Sequence, residues 1–212
     1  MILEVRAVPP FAKNGFVVGC EQTREAVLID PGDEVDQLLE IVRRQKLSVL
    51  SILLTHAHVD HVTGVGRAKQ ALGVPVYLHR DDNFLYEAAS EQAAFFGLKV
   101  EKPPPVDRFY DLADTLSFGD NDVSVHHTPG HCPGGVCLAV GLKGKPKLDL
   151  FVGDTLFAGS IGRTDLPGAD HDTLLRSIRQ VLFAFGDEAR VHPGHGPDTT
   201  IGRERATNPF LR

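Results

Sequence analysis

The chain is poor in the residues that would staple it, charge one face of it or anchor it. Three cysteines in 212 residues, an odd number with no Cys-x-x-Cys spacing, argue against a disulfide framework and leave no thiolate set for a metal. Cys20, Cys132 and Cys137 read as partly buried free thiols, with Cys132, directly after a histidine, the one placed for redox chemistry. No run of Lys and Arg marks a basic face; 28 acidic residues outweigh 22 basic ones for a net charge of -6, which argues against nucleic acid as a partner. No apolar run is long enough to span a bilayer, and Met1 to Pro10 lacks the charged, apolar and small-residue segments of a signal peptide. The expectation is a soluble cytoplasmic protein, without membrane contact, that acts on a small molecule. With 42% apolar residues, a chain of this length buries a sizeable core without staples.

What the chain does have is concentrated in Thr55-His56-Ala57-His58-Val59-Asp60-His61. Three imidazoles and a carboxylate occupy six positions directly after Val49 to Leu54, an apolar run that reads as a buried strand. Side chains alternate along a strand, so His56 and His58 leave its end on one side and can share a metal. If the chain then turns into a helix near Asp60, the pair Asp60-His61 faces another way and can serve a second metal. Imidazole and carboxylate suit zinc, iron or manganese. A lone His-x-His is commonly no more than a partly exposed polar pair, whereas four ligand-type residues in this pattern are much harder to dismiss. A catalytic metal takes at least three protein ligands and keeps one position open, so partners must come from elsewhere.

The first thirty residues alternate apolar runs and turns, Ile2 to Val8, Phe16 to Cys20 and Ala26 to Ile29, as a strand meander does. Asp30-Pro31-Gly32 ends the third run and opens a helix over 35–46, with Val35, Leu38, Leu39 and Val42 at helical period. Asp30 competes as a ligand, but a carboxylate that ties down the following turn is the preferred reading. A short helix follows the histidines, with Gly64 and Gly66 allowing close backbone approach to the site at some cost to the helix. A strand over 74–78, a helical stretch over 81–96 and a surface connection at Lys102 to Pro105 come next.

The second half repeats the pattern. Val123 to His127 runs into Thr128-Pro129-Gly130-His131, Leu148 to Val152 into Gly153-Asp154, and Arg190 to His192 into Pro193-Gly194-His195-Gly196. Each ligand-type residue follows an apolar run, and ligands of open α/β sheets gather where strands end. A helix from about Asp172 to Phe185 carries an apolar face to cover a sheet. His79, His126, His127, His171 and His192 lack a second ligand-type residue at useful spacing and are assigned to core, surface or supporting positions.

The set His56, His58, Asp60, His61, His131, Asp154 and His195 resembles the metallo-β-lactamase fold superfamily over nearly the entire chain. Gly162-Arg163-Thr164-Asp165 and the tail Glu204-Arg205-Ala206-Thr207-Asn208-Pro209-Phe210 look like its glyoxalase II-related branch, which holds hydroxyacylglutathione hydrolases and iron-dependent persulfide dioxygenases. The resemblance implies an α/β fold, a four-layer αββα sandwich of two pseudo-symmetric halves, as a single domain over 1–212 without the C-terminal helical domain of glyoxalase II. It also implies two divalent ions, zinc first and iron or manganese next. His56, His58 and His131 would hold one, Asp60, His61 and His195 the other, with Asp154 bridging; Asp30 would be structural.

The activity this implies is hydrolysis of a thioester such as S-(2-hydroxyacyl)glutathione by a metal-bound hydroxide, with Asp60 also orienting that hydroxide as a catalytic carboxylate. A thiolate, with a pKa of about 8.5, leaves near neutral pH with little help from an acid. Arg163 and Lys143 are candidates for the substrate carboxylates, each being otherwise a solvated loop residue. The competing readings are a one-iron persulfide dioxygenase using His56, His131 and Asp154 or a similar subset, a lactone or other ester hydrolase, and a metal-keeping binding protein.

Overall fold

The computed structural model describes residues 1–111, 113 and 115–212. The chain forms two compact units, Met1–Tyr110 with Phe118–Asp120, and Asp111–Ser117 with Asn121–Arg212. Among the described residues no helix is long and apolar enough to cross a membrane.

The first unit carries a mixed six-stranded sheet of β1 (Ile2–Arg6), β2 (Gly15–Gly19), β3 (Glu25–Ile29), β4 (Ser48–Leu53), β5 (Val76–Leu78) and β6 (Arg108–Phe109), in that spatial order. The first two pairings are antiparallel, the expected meander, and β3, β4, β5 and β6 run parallel. Parallel neighbours require crossovers. Helix α1 (Val35–Arg44) supplies one, burying Val35, Leu38, Leu39, Ile41 and Val42, the apolar stripe legible in the sequence. The helix after the histidines is two pieces, α2 (Val59–Val62) and α3 (Val65–Leu72), and α3 stops at Gly73 in the left-handed region. The stretch expected as one helix over 81–96 is likewise broken, into a 3-10 turn Arg80–Asp82 and helices α4 (Asn83–Glu87) and α5 (Ala89–Phe95).

The second unit repeats the architecture with β7 (Thr115–Phe118, whose last residue belongs to the first unit), β8 (Asn121–His127), β9 (Val136–Leu142), β10 (Asp149–Gly153), β13 (Arg190–Pro193) and β14 (Thr199–Thr200) in the order β14-β13-β10-β9-β8-β7. A separate hairpin, β11 (Leu156–Phe157) with β12 (Ser160–Ile161), follows β10. One sheet face is covered by α6 (His171–Arg176), which continues through a π-helical turn Ser177–Val181 and a 3-10 turn Leu182–Phe185, and by α7 (Ile201–Thr207). Leu174, Ile178, Leu182, Ile201 and Leu211 pack there on Cys137, Ala139, Leu150, Val152 and Val191. The expected continuous helix thus changes pitch after Arg176 but keeps its buried face.

Strand direction decides where polar residues collect. Parallel β3, β4 and β5 end at one edge of the first sheet, delivering Asp30, the histidine motif and the 79–82 turn to adjacent positions. In the second sheet β8 is antiparallel to β9 and β9 to β10, while β10 and β13 are parallel. Strands β8, β10 and β13 therefore run the same way, and the residues after them share an edge.

At the start of β10, buried Asp149 accepts from His192 Nε2 at 3.0 Å and from exposed Arg190. Burial pushes its pKa up, but the His192 and Arg190 hydrogen bonds outweigh burial and hold it below the usual range. A depressed carboxyl stabilises the fold above its unfolded pKa of about 3.9 and loses that contribution as pH falls through the folded value. Asp149→Asn should lower the denaturation midpoint at neutral pH, and the difference from wild type should begin to shrink as pH falls below about 4 and vanish below the folded pKa.

The two glycines of the 59–72 segment part company. A Cβ on Gly64 would lie 2.2 Å from the Gly32 carbonyl oxygen and 2.6 Å from Val35 Cβ, so this glycine lets the junction of α2 and α3 seat against the Asp30 turn; one on Gly66 meets only Pro104 Cδ at 3.6 Å. Gly64→Ala should destabilise by about 1–3 kcal/mol through overpacking. Gly66→Ala, in a helix with room for the methyl, should stabilise by up to about 1 kcal/mol. Urea unfolding of the two variants checks both signs.

Candidate metal centre

The first unit gathers His56, His58, Asp60 and His61 at the end of β4. The rings of His56 and His61 are 4.0 Å apart and those of His56 and His58 5.0 Å apart, edge to face. His61 Nε2 lies 3.8 Å from Asp60 Oδ2. The helical turn foreseen near Asp60 is α2, and it is what turns Asp60 and His61 away from the strand direction of His56.

Asp30 organises this edge. It holds a left-handed backbone, φ 48°, unusual for a residue other than glycine. Its Oδ1 accepts from the Thr55 backbone N–H at 2.7 Å, and its Oδ2 accepts from Thr55 Oγ1 at 2.5 Å and His61 Nδ1 at 2.9 Å. The carboxylate therefore ties the histidine motif rather than its own following turn, which corrects the sequence expectation. Glu34 holds that turn, accepting from Gly32 N–H at 2.8 Å. Lys13, 2% exposed, donates to Glu34 Oε1 at 2.6 Å and to the Asp30 carbonyl. Gly15 is required beside this pair, because a Cβ there would fall 1.9 Å from Glu34 Oε1. Fully buried Asp82 accepts from Ala57 N–H at 3.0 Å, and Gln92 accepts from Val59 N–H at 3.1 Å while donating to the Ala57 carbonyl at 3.2 Å.

The second unit gathers His131, Asp154 and His195 after β8, β10 and β13. Nε2 of His131 and of His195 point at the same oxygen, Asp154 Oδ2, from 3.7 and 3.6 Å. The Pro129-Gly130 turn reaches this position because Gly130, φ 134°, sits where a Cβ would be 2.3 Å from Leu174 N. His131 Nδ1 donates to the Arg163 carbonyl at 2.8 Å.

These contacts fix tautomers and so test the fit to a cation. A carbonyl oxygen only accepts, so His131 carries its proton on Nδ1. Asp30 imposes the same on His61. Thr55 uses its hydroxyl proton on Asp30 and so accepts from His56 Nδ1, at 3.1 Å, imposing it on His56 as well. In the neutral ring Nε2 is then an acceptor, and in His61 and His131 it faces a carboxylate oxygen, also an acceptor, from 3.7–3.8 Å. Ligand atoms 2.0–2.2 Å from one tetrahedral ion are about 3.4 Å apart, close to these separations. The donor set therefore fits divalent metal, and the partners of Nδ1 are the supporting contacts that metal-binding imidazoles require. Asp30, His56 and His61 also bring ligand atoms within 4.8 Å of one another, but Asp30 faces Nδ1 of His61 at hydrogen-bond distance, so Asp30 supports the two histidines and is not a third ligand.

The Arg163 guanidinium is exposed and forks onto Asp165 at 2.7 Å through two nitrogens, drawing the Asp165 carboxyl down to about 2. It would have to release Asp165 to take a substrate carboxylate, whereas its carbonyl already acts on His131. Lys143 lies in the turn after β9, at the opposite edge of the second sheet from Asp154. A strand's length separates it from a small substrate bound at Asp154, so the expected Lys143 contact is not made there. Sequence reasoning missed Lys13, Glu34, Asp82 and Gln92. An acid just beyond a strand was a usable signal for Asp82; the other three become visible only through their folded partners. His192, left among core, surface or supporting positions, is buried between Asp149 and Asp198, 3.0 Å from each.

Asp30→Ala would leave three donors without their acceptor. It should destabilise the protein by at least about 2 kcal/mol in urea unfolding, since each buried donor left unsatisfied costs about 1–3 kcal/mol, and lower metal affinity about 10–100-fold. Full stability and full metal uptake in this variant would remove Asp30 from the role described.

The family model of the metallo-beta-lactamase superfamily matches residues 8–195. A hydroxyacylglutathione hydrolase, GloC, of Haemophilus influenzae is 37% identical over 100% of this chain and 98% of its own. Among solved structures, BLEG-1 B3 metallo-beta-lactamase is similar with a TM-score of 0.89 and 37% identity, covering 99% of both chains. TTHA1623 in a di-iron-bound form is similar with a TM-score of 0.86 and 44% identity, covering 98% of this chain and 100% of that one. With a ligand-bearing edge on each sheet and these likenesses over almost the full length, the chain belongs to the metallo-beta-lactamase superfamily and has its α/β fold.

Proposed function

We propose that the chain is a metal-dependent hydrolase that cleaves a thioester of the S-(2-hydroxyacyl)glutathione class. The observation that carries the reading is that Nδ1 of His61 and of His131 is committed to a fixed acceptor while Nε2 of each faces a carboxylate, Asp60 in one and Asp154 in the other. In this reading His56, His58 and His131 would hold one ion and Asp60, His61 and His195 the second, with Asp154 as the shared ligand. Such a pair, when bound, supplies an acidified water as nucleophile and a Lewis acid for the carbonyl.

The chain's own side chains then have limited tasks. The three cysteines are buried, and burial pushes the Cys137 thiol well up, which makes it a poor nucleophile. Asp60 and Asp154 have side chains 13% exposed; each presents a carboxylate to solvent-accessible space, where it can orient a water. A thiolate, with a pKa of about 8.5, departs without a dedicated acid, which suits a site composed of metal ligands. The full-length likeness to the Haemophilus influenzae hydroxyacylglutathione hydrolase supports this substrate class. Imidazole and carboxylate ligands accept zinc, iron or manganese.

Metal analysis together with hydrolysis of S-(2-hydroxyacyl)glutathione tests the reading. Two divalent ions per chain and thioester turnover are expected, and Asp154→Ala should lose metal and at least about a hundredfold in turnover. One iron per chain with oxygen uptake on glutathione persulfide would replace the hydrolase with a dioxygenase. Turnover confined to lactones or lactams would replace the substrate class.

A further inference from the structure

The hairpin of β11 and β12 and the residues flanking it reach His131, Asp154 and His195, yet the hairpin has only two residues per strand, paired Leu156 with Ile161 and Phe157 with Ser160. A hairpin of this size does not hold its own position in water. Asp154 directly precedes it. Gly162, directly after it, lies so close to Asp154 that a Cβ would fall 1.9 Å from the Asp154 carbonyl oxygen and 3.2 Å from His131 Cβ. The next residue, Arg163, offers the carbonyl that accepts from His131 Nδ1. On β11, the Phe157 ring stands edge-on to His195 at 6.3 Å. Something outside the hairpin must set its place.

Part of the anchor is the core, where Leu156 and Ile161 are buried; the tip is held from α7 and its C-cap residue. Glu204 and Asn208, one turn apart, are both fully buried. Glu204 Oε2 accepts from the Gly159 N–H at the hairpin tip at 2.8 Å and from Asn208 Nδ2 at 2.8 Å, and Oε1 accepts from Thr199 Oγ1 at 2.6 Å. Asn208 Nδ2 also donates to the Ser160 carbonyl at 3.0 Å. The carboxyl and the amide thus grip consecutive residues of the tip. The helix that carries them is itself fixed, with Ile201 and Leu211 in the core of the unit. Burying a carboxyl group is costly unless every acceptor is used, and an apolar pair would fill the same space at less cost. What an apolar pair cannot do is hold two backbone groups of a turn at fixed positions.

We propose that Glu204 and Asn208 are positioning residues, acting through the hairpin to fix the His131 ring, Asp154 and His195 for metal binding. The ring and backbone geometry stands on its own, and its purpose in holding metal rests on the hydrolase reading above. The link runs from α7 through Gly159 and Ser160 to Gly162 and Arg163, and ends at Nδ1 of His131.

Two measurements on the intact chain test it. In the native protein the Gly159 amide, on an exposed turn, should exchange with solvent slowly because Glu204 holds it; exchange at the rate of an unprotected turn would overturn the proposal without any variant. In metal-free protein labelled with 15N-histidine, at a pH above imidazole titration, His131 should show a single Nδ1–H tautomer. Asn208→Ala should convert it to a mixture while His61, held by Asp30 in the other unit, keeps its tautomer, and metal affinity should fall about 10–100-fold. Thr199→Val removes a Glu204 contact but none to the hairpin, and should lower the melting temperature without changing His131. An unchanged His131 in folded Asn208→Ala, equal changes in His131 and His61, or an equal effect of Thr199→Val would each overturn the proposal. If Asn208→Ala does not fold, the Gly159 exchange rate decides. A loosened His131 with unaltered metal affinity would sink the metal reading and leave the hairpin link standing.

Discussion

The carboxylate of Asp30 accepts from the backbone and hydroxyl of Thr55 and from Nδ1 of His61, and through that hydroxyl it reaches Nδ1 of His56. A neutral imidazole has one proton to donate. Committing it at Nδ1 decides which nitrogen faces the carboxylates, and the arrangement of the first ligand edge follows from that commitment. The cost is visible in the scaffold. Asp30 adopts a left-handed backbone, and the buried pair of Lys13 and Glu34 holds its carbonyl and the turn after it. A buried ion pair is a poor source of stability by itself, so its presence beneath this turn is better understood as the means of holding one acceptor in place.

The second unit solves the same problem with different chemistry. A backbone carbonyl, that of Arg163, takes the part of Asp30, and a hairpin secured by Glu204 and Asn208 takes the part of the Lys13–Glu34 pair. The halves are alike in topology because strands running the same way end at one edge, and alike in function because each commits Nδ1 of a histidine. They differ in where the commitment comes from, a side chain in one and main chain in the other.

The fold was legible wherever burial imposes a period. Helix α1 and the helix after Asp172 show apolar residues at helical spacing, while the three early strands were legible as short apolar runs between turns. Strand β9, buried on both faces like β2 and β10, was not anticipated. The breaks at Ala88 and after Arg176 carry no proline or glycine to announce them. In the site, ligand-type residues stood out because each follows an apolar run. Their supports did not, since Lys13, Glu34 and Gln92 act through partners 17 to 35 positions away, and no local pattern encodes such a pairing.

The amino-acid sequence by itself determined the kind of chemistry: imidazoles and carboxylates without a thiolate set, each at the end of an apolar run, in a chain with no basic face. Those are properties of residue type and local spacing, which folding does not alter. Tertiary structure alone decided which nitrogen of each ring bears the proton, that Asp30 supports the histidine motif rather than its own turn, that Arg163 acts on His131 through its carbonyl, and that Lys143 sits at the far edge of its sheet. Each depends on the direction of a hydrogen bond or on the end of a strand at which a loop emerges, and both are set by contacts between segments distant in the chain.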